Sequence, residues 1–235
     1  MFDLSKNISD VRAEIHRAAV AANRSVDAVM LLAASKGQPV AAIAAAAAGG
    51  VRDFGESQVQ EALKKIPALA DAGLRWHFIG PVQSNKTRAI AEHFAWLHSL
   101  DRLAIAERLA RQRPPEMPPL EVCLQVNIDR EPTKAGVDPD QVENLARAVA
   151  DLPRLRLRGL MAIPRPRAAE ARREPFRALA ALLARLRAAS PRLAGLDTLS
   201  MGMSADLAAA IAEGATIVRV GRGIFGPRPD PSSHP

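Results

Sequence analysis

Eight short, apolar, β-prone segments recur along the chain, near residues 29–35, 51–55, 75–79, 96–100, 120–128, 156–161, 196–200 and 216–220, with helix-forming sequence after each. Consecutive apolar positions bounded by Gly and Pro read as strands covered on both faces. Strands alternating with helices mean right-handed crossovers around a parallel sheet. Eight such repeats in 235 residues favour one closed (β/α)8 TIM barrel, a fold of about 250 residues, over an open sheet. A further amphipathic helix over about residues 5–22 precedes the first strand and is expected to pack on the barrel. Pro39, Ser57, Ser84, Asp101, Asp138 and Ser204 are expected to start helices. The Pro-rich stretches at 114–119 and 164–166 read as loops, and residues 226–235 as a frayed tail. No linker or shift in composition divides the chain, so 1–235 is expected to be a single domain.

Composition excludes several classes. The single cysteine, Cys123, cannot form an intramolecular disulfide and suits a reducing compartment. The start, MFDLSKNISD, has neither the charged beginning nor the apolar core of a secretory leader. The longest apolar stretch, Val40 to Gly50, is alanine-rich and too short to span a bilayer. A soluble, cytoplasmic protein is expected, with a monomer as the default state. A net charge of +7 and a pI near 10.4 invite a nucleic-acid reading. Against it, the arginines are scattered over many helices, aromatic residues are 3% of the chain, and tyrosine is absent. Specific nucleic-acid binding is therefore not expected.

The unusual residues collect at the carboxyl ends of the strands, the face on which barrels build their sites. The first strand ends at Ser35-Lys36-Gly37, the seventh at Ser200-Met201-Gly202-Met203-Ser204, and the eighth at Arg219-Val220-Gly221-Arg222-Gly223. A lysine at the end of an apolar strand places a long amine on the barrel rim. On position alone it could simply extend its ammonium into water. Partial burial there would favour the neutral amine, the form that attacks an aldehyde to make a Schiff base. The clusters after strands seven and eight have what a phosphate site needs: glycine for close approach, backbone N–H groups, and an arginine. Taken singly, Ser204 as a helix cap and Gly221 as a chain turn would need no ligand. Two clusters on adjacent strands, opposite a strand-end lysine, favour a phosphate. An aldehyde-reactive amine and a phosphate pocket in one barrel mouth suggest pyridoxal 5′-phosphate (PLP).

The segments LLAASKGQPV, FGESQVQEAL, WHFIGPVQSNK, LRLRGLMAIP, LSMGMSADLAAAI and VRVGRGIFG, in that order, resemble the YggS/PROSC family of pyridoxal-phosphate homeostasis proteins over about residues 29–226. That family is similar in fold to the N-terminal barrel of bacterial alanine racemase. The resemblance implies that Lys36 carries the Schiff base and that Arg219 faces the pyridine nitrogen. It places the phosphate on Ser200 or Ser204 and on the backbone around Gly221 and Arg222. With Ser57 and Met201, the expected cofactor-binding set is Lys36, Ser57, Ser200, Met201, Ser204, Arg219, Gly221 and Arg222. Four positions depart from the family's common pattern. Ser57 stands in place of asparagine, Gln38 in place of a second lysine, Pro81 in place of histidine, and Arg222 in place of threonine or serine.

Binding is expected rather than turnover. An arginine at the ring nitrogen cannot accept a proton, and an unprotonated ring is a poor electron sink. The racemase that this arrangement resembles also uses a tyrosine from a second domain, and this chain has no tyrosine. The expected role is a non-catalytic PLP binder for cofactor homeostasis, with PLP-dependent apo-enzymes as possible recipients. The alternative is a small PLP-dependent amino-acid racemase. His77 reads as a packing or hydrogen-bonding residue and Cys123 as a buried, unreactive thiol. Glu56 could position Lys36 or a ring hydroxyl, but a strand-end carboxylate capping the next helix is the preferred reading. His16, His93, His98 and His234 show no metal-ligand spacing, so no metal site is expected.

Overall fold

In the computed structural model, which describes residues 3–169 and 171–227, the apolar segments become eight strands. They are β1 (Met30–Ala34), β2 (Asp53–Glu56), β3 (Arg75–Phe78), β4 (Trp96–Leu100), β5 (Leu120–Gln125), β6 (Leu155–Met161), β7 (Thr198–Ser200) and β8 (Ile217–Val220). They pair in parallel, in sequence order, and β8 closes on β1, with Leu32 opposite both Asp53 and Arg219. Nine helices lie among the described residues: α1 (Leu4–Ala21), α2 (Val40–Ala48), α3 (Val59–Ala68), α4 (Thr87–His93), α5 (Leu103–Gln112), α6 (Val142–Ala150), α7 (Glu174–Ala189), α8 (Leu207–Ala212) and α9 (Arg222–Phe225). The fold is the (β/α)8 barrel with an added N-terminal helix.

Side-chain alternation divides each strand between two cores. Phe54, Trp76, Phe78, Leu97, Val122, Leu124, Leu160, Leu199, Val218 and Val220 join the core between strands and helices. Leu32, Trp96, Cys123, Met161 and Ile217 form a smaller apolar cluster of their own. Cys123 is fully buried, and burial pushes its thiol up to about 12, as expected for an inert packing residue. Helix α1 buries Ile8, Val11, Ile15 and Ala19, the stripe its spacing predicts, and Asp3 caps it by accepting from the Lys6 N–H at 3.0 Å. It packs beside α8 and α9, and Asn7 Nδ2 donates to Ile224 O at 3.0 Å.

Several local expectations need correction. Pro39 directly precedes α2, and Ser84 opens a 3₁₀ turn leading into α4. Helices α3, α5, α6 and α8, however, begin two to four residues after Ser57, Asp101, Asp138 and Ser204. Two of these polar side chains serve their loops instead: Asp138 binds Arg130 and the Asp140 N–H, each at 2.9 Å, and Asp101 pairs with Arg102 at 2.6 Å. The fifth strand stops at Gln125, short of 128. Beyond it Asn127 closes a loop, donating to Glu131 O at 2.8 Å and accepting from the Glu131 N–H at 3.1 Å. Of the tail, Gly226 is tied to Arg222 O at 2.9 Å, and residues 228–235 lie outside the described residues.

Gly159 shows how tightly the barrel closes. It pairs with Thr198, and a Cβ there would stand 1.9 Å from Thr198 O. Backbone must move to admit even a methyl group. Gly159→Ala is expected to cost about 3 kcal/mol, or roughly 10 °C in Tm, read by thermal unfolding; an unchanged Tm would contradict this register.

Candidate functional site

The end of β1 is clamped before its chemistry begins. Ser35 N–H donates to Gly55 O at 2.9 Å, and the chain then turns through Gly37, whose φ of +74° suits glycine. The Ser35 hydroxyl donates to Glu56 Oε1 at 2.6 Å. Lys65, from α3, donates to Glu56 Oε1 at 2.9 Å and to Ser35 O at 3.0 Å. Glu61 pairs with Lys65 and accepts from the Gly37 N–H at 2.6 Å. Glu56 therefore caps no helix. It lies fully buried, where burial raises its carboxyl above the usual range against the opposing pull of Ser35 and Lys65. The result is a stiff platform for the half-buried Lys36.

The facing wall comes from the segments after β7 and β8. Gly202, at a φ of +92°, accepts from the Arg219 N–H at 2.9 Å, and Asp206 Oδ1 accepts from the Met203 N–H at 2.6 Å. These contacts hold Ser204 against α9: a Cβ on Gly223 would stand 3.3 Å from Ser204 Oγ and 2.9 Å from Val220. Glycine at 223 lets the two segments approach without a shift of the Val220 or Ser204 side chain. Ile224 and Phe225 both return their N–H groups to Gly221 O, so the amides of Arg222 and Gly223 precede the first bonds of that turn.

Between platform and wall lies a cavity of about 550 Å³, lined by Lys36, Ser204, Arg219, Gly221 and Arg222 together with Ala34, Gln38, Ile79, Ile163, Met203, Ala205, Asp206, Gly226 and Pro227. Five of the eight residues expected to bind a cofactor thus meet in one space. Arg219 is buried and held in place. It donates to Ser200 O at 2.6 Å and Ser200 Oγ at 2.8 Å, and to Ala162 O at 3.0 Å. Burial lowers its guanidinium to about 10, which leaves it charged at neutral pH.

The other three residues do not line the cavity. Ser200 is fully buried, its hydroxyl engaged by Arg219 and by His98 Nδ1 at 2.7 Å. Met201 packs into the outer core and gives its N–H to Ile217 O at 3.1 Å. Ser57 abuts the next strand's loop, its carbonyl 2.1 Å from where a Cβ on Gly80 would stand. Of the departures from the common pattern, Gln38 lines the cavity, whereas Pro81 is exposed and does not. Sequence reasoning missed the Lys65–Glu56 brace. The one available signal was the unusual pair of a carboxylate ending β2 and a lysine on the inner face of α3.

Residues 6–229 match the family described as alanine racemase, N-terminal domain, so the fold and the strand-end site place the chain in that class of barrels. A pyridoxal phosphate homeostasis protein of Pseudomonas aeruginosa is 57% identical over 229 residues, covering 97% of each chain. Its counterpart in Escherichia coli K12 is 51% identical over 232 residues, covering 97% of this chain and 98% of the relative. The chain belongs to the family of pyridoxal phosphate homeostasis proteins. Among solved structures, PipY of Synechococcus elongatus PCC7942 with PLP bound superposes with a TM-score of 0.84 at 38% identity, covering 95% of this chain and all of PipY. The PLP-free form of PipY gives 0.85. Among the described residues, no helix is long and apolar enough to cross a membrane.

Proposed function

We propose that this protein binds pyridoxal 5′-phosphate in the carboxyl-face cavity, holds it as a Schiff base on Lys36, and serves cofactor homeostasis without robust turnover. The observation that carries this reading is the arrangement of one cavity. An amine on a braced platform faces a wall made of a hydroxyl, glycine-bounded amides and two arginines. The fit is chemical as well as spatial: Lys36 meets an aldehyde, and Ser204, Gly221 and Arg222 meet a phosphate. PLP itself supplies a reactive aldehyde and an electron-withdrawing ring.

Attachment joins Lys36 Nζ to the aldehyde carbon as C=N, with loss of one water, and is reversible by addition of water. Arg219 is assigned to the ring nitrogen, where a charged guanidinium offers only donors and leaves that nitrogen unprotonated. This weakens carbanion chemistry. Asp206, the one carboxylate among the lining residues named, is engaged by the Met203 N–H, and the sequence has no tyrosine to act as a second acid/base. Two-face proton transfer needs such a group. The protein is read as a cytoplasmic monomer that keeps free aldehyde low and releases PLP to apo-enzymes. The homeostasis role named for its relatives favours this over a racemase.

The test is the visible spectrum of the full chain with PLP before and after borohydride, with peptide mass mapping. A new band trapped on the peptide containing Lys36 is expected, with no solvent deuterium entering the α-carbon of added amino acids. A featureless spectrum with no adduct would overturn the binding reading, and sustained deuterium incorporation would replace the carrier with an enzyme.

A further inference from the structure

Five different strands each contribute one polar side chain to a hydrogen-bonded chain through the barrel interior. Arg219 of β8 meets Ser200 Oγ of β7 at 2.8 Å, and Ser200 Oγ meets His98 Nδ1 of β4 at 2.7 Å. His98 Nε2 meets His77 Nδ1 of β3 at 3.0 Å, and His77 Nε2 meets Asp53 Oδ1 of β2 at 3.0 Å. All five are buried, and Trp96 stacks on His77 with centroids 5.6 Å apart. At the far end Arg75 grips Asp53 with two contacts of 2.8 Å.

Donor and acceptor capacities leave one order for these bonds. Asp53, a carboxylate held below its usual range by His77 and Arg75 despite its burial, only accepts, so His77 Nε2 carries hydrogen. Burial lowers both imidazoles and keeps them neutral, His98 well below its ordinary value with His77 and Arg219 adding to the effect. His77 Nδ1 is then bare and accepts from His98 Nε2–H. His98 Nδ1 is bare in turn and accepts the Ser200 hydroxyl hydrogen. Ser200 Oγ then accepts from Arg219, which has only hydrogens to give. The order is fixed from the Asp53 end, and it uses both ring nitrogens of each histidine and the Ser200 hydroxyl as donor and acceptor. Each bond polarises the next, so a negative charge at Asp53 makes Ser200 a better acceptor for Arg219.

We propose that Asp53, His77, His98 and Ser200 are positioning residues acting in series: the chain running from Asp53 to Arg219 fixes where the guanidinium stands at the cofactor cavity and how strongly it engages a ligand there. This rests on reading that cavity as the PLP site. It gives Ser200 a role in holding Arg219, in place of contact with phosphate, and it gives work to four buried polar groups whose burial would otherwise be costly.

The first experiment needs no cofactor. Nitrogen-15 NMR of histidine-labelled full-length protein near neutral pH should show His77 and His98 both neutral with hydrogen on Nε2. An Nδ1–H tautomer or an imidazolium at either residue would overturn the chain. The second compares Asp53→Asn with Ser200→Ala by PLP titration. Both variants are expected to raise the dissociation constant roughly fivefold, the scale of a weakened charge-assisted bond, and to move the visible maximum of the bound form in the same direction. A change in Ser200→Ala alone, with Asp53→Asn at wild-type values, would mean a local contact and refute action in series. Failure of the wild-type protein to bind PLP would sink the cofactor reading itself, while the NMR result still judges the hydrogen-bond order.

Discussion

Lys36→Ala protein, incubated with PLP and treated with borohydride, should carry no trapped adduct, and its PLP affinity should fall by about 100-fold, equivalent to ~2.7 kcal/mol. The reason is specific to the covalent link. Ser204, Gly221 and Arg222, the proposed phosphate contacts, remain in place, so phosphate should still bind, but the proposed C=N bond would have no nitrogen to form on. The fold should survive, because the turn that carries Lys36 is held by Ser35, Glu56, Glu61 and Lys65. A Tm close to wild type would confirm that affinity, not folding, was lost. Lys36→Arg separates charge from chemistry. It keeps the positive charge and cannot form the imine, so it should behave like alanine in the trapping assay. Wild-type affinity in Lys36→Arg would make Lys36 an electrostatic contact only and sink the Schiff-base assignment.

Arg219→Leu is expected to strike stability and binding together. Its guanidinium is the donor to Ser200 O, Ser200 Oγ and Ala162 O inside the barrel. Leucine fills part of the space but removes that donor from all three; Ser200 O keeps the Ala162 N–H and Ser200 Oγ keeps His98, while Ala162 O loses the Arg219 donor, and a buried unsatisfied group costs about 1–3 kcal/mol. A net loss of about 2 kcal/mol in urea unfolding is therefore expected, after partial return from apolar burial. The PLP complex should weaken as well, and its visible band should shift as the charge assigned to the ring nitrogen disappears. Arg219→Lys should fall between the two. Lysine can reach one carbonyl but lacks the planar fork that serves Ser200 and Ala162 at once. A stable Arg219→Leu protein with unchanged spectrum would remove Arg219 from both the interior chain and the site.

The five expected residues that line the cavity share a simple property. Lys36, Ser204, Arg219, Gly221 and Arg222 lie at or just past strand ends, and in a barrel all such ends open on the same face. Ser200, Met201 and Ser57, expected by the same logic, sit in the same stretches but do not line the cavity. What separates Ser200 from Ser204 is whether the side chain turns into the barrel or toward its mouth, and what it then meets. Ser200 meets His98, 102 positions away in the chain. Nothing local to LSMGMS announces that partner. His77, which reads in the sequence as a packing or hydrogen-bonding residue, bonds Asp53 and His98 from the neighbouring strands, partners that could not be named until the strands were in register.

What the sequence by itself determined is the barrel and its working face. Eight apolar segments separated by helices admit few closures, and strand ends carrying lysine, serine, glycine and arginine mark one rim. Only the tertiary structure decided which polar residues face that rim and which face each other. Side-chain alternation sends neighbours on one strand to opposite cores, and lateral pairing of strands selects their partners from distant parts of the chain. Lys65 reaching Glu56, and Arg219 reaching Ser200 and through it His98, are outcomes of closure. They depend on distances of about 3 Å that no local pattern encodes.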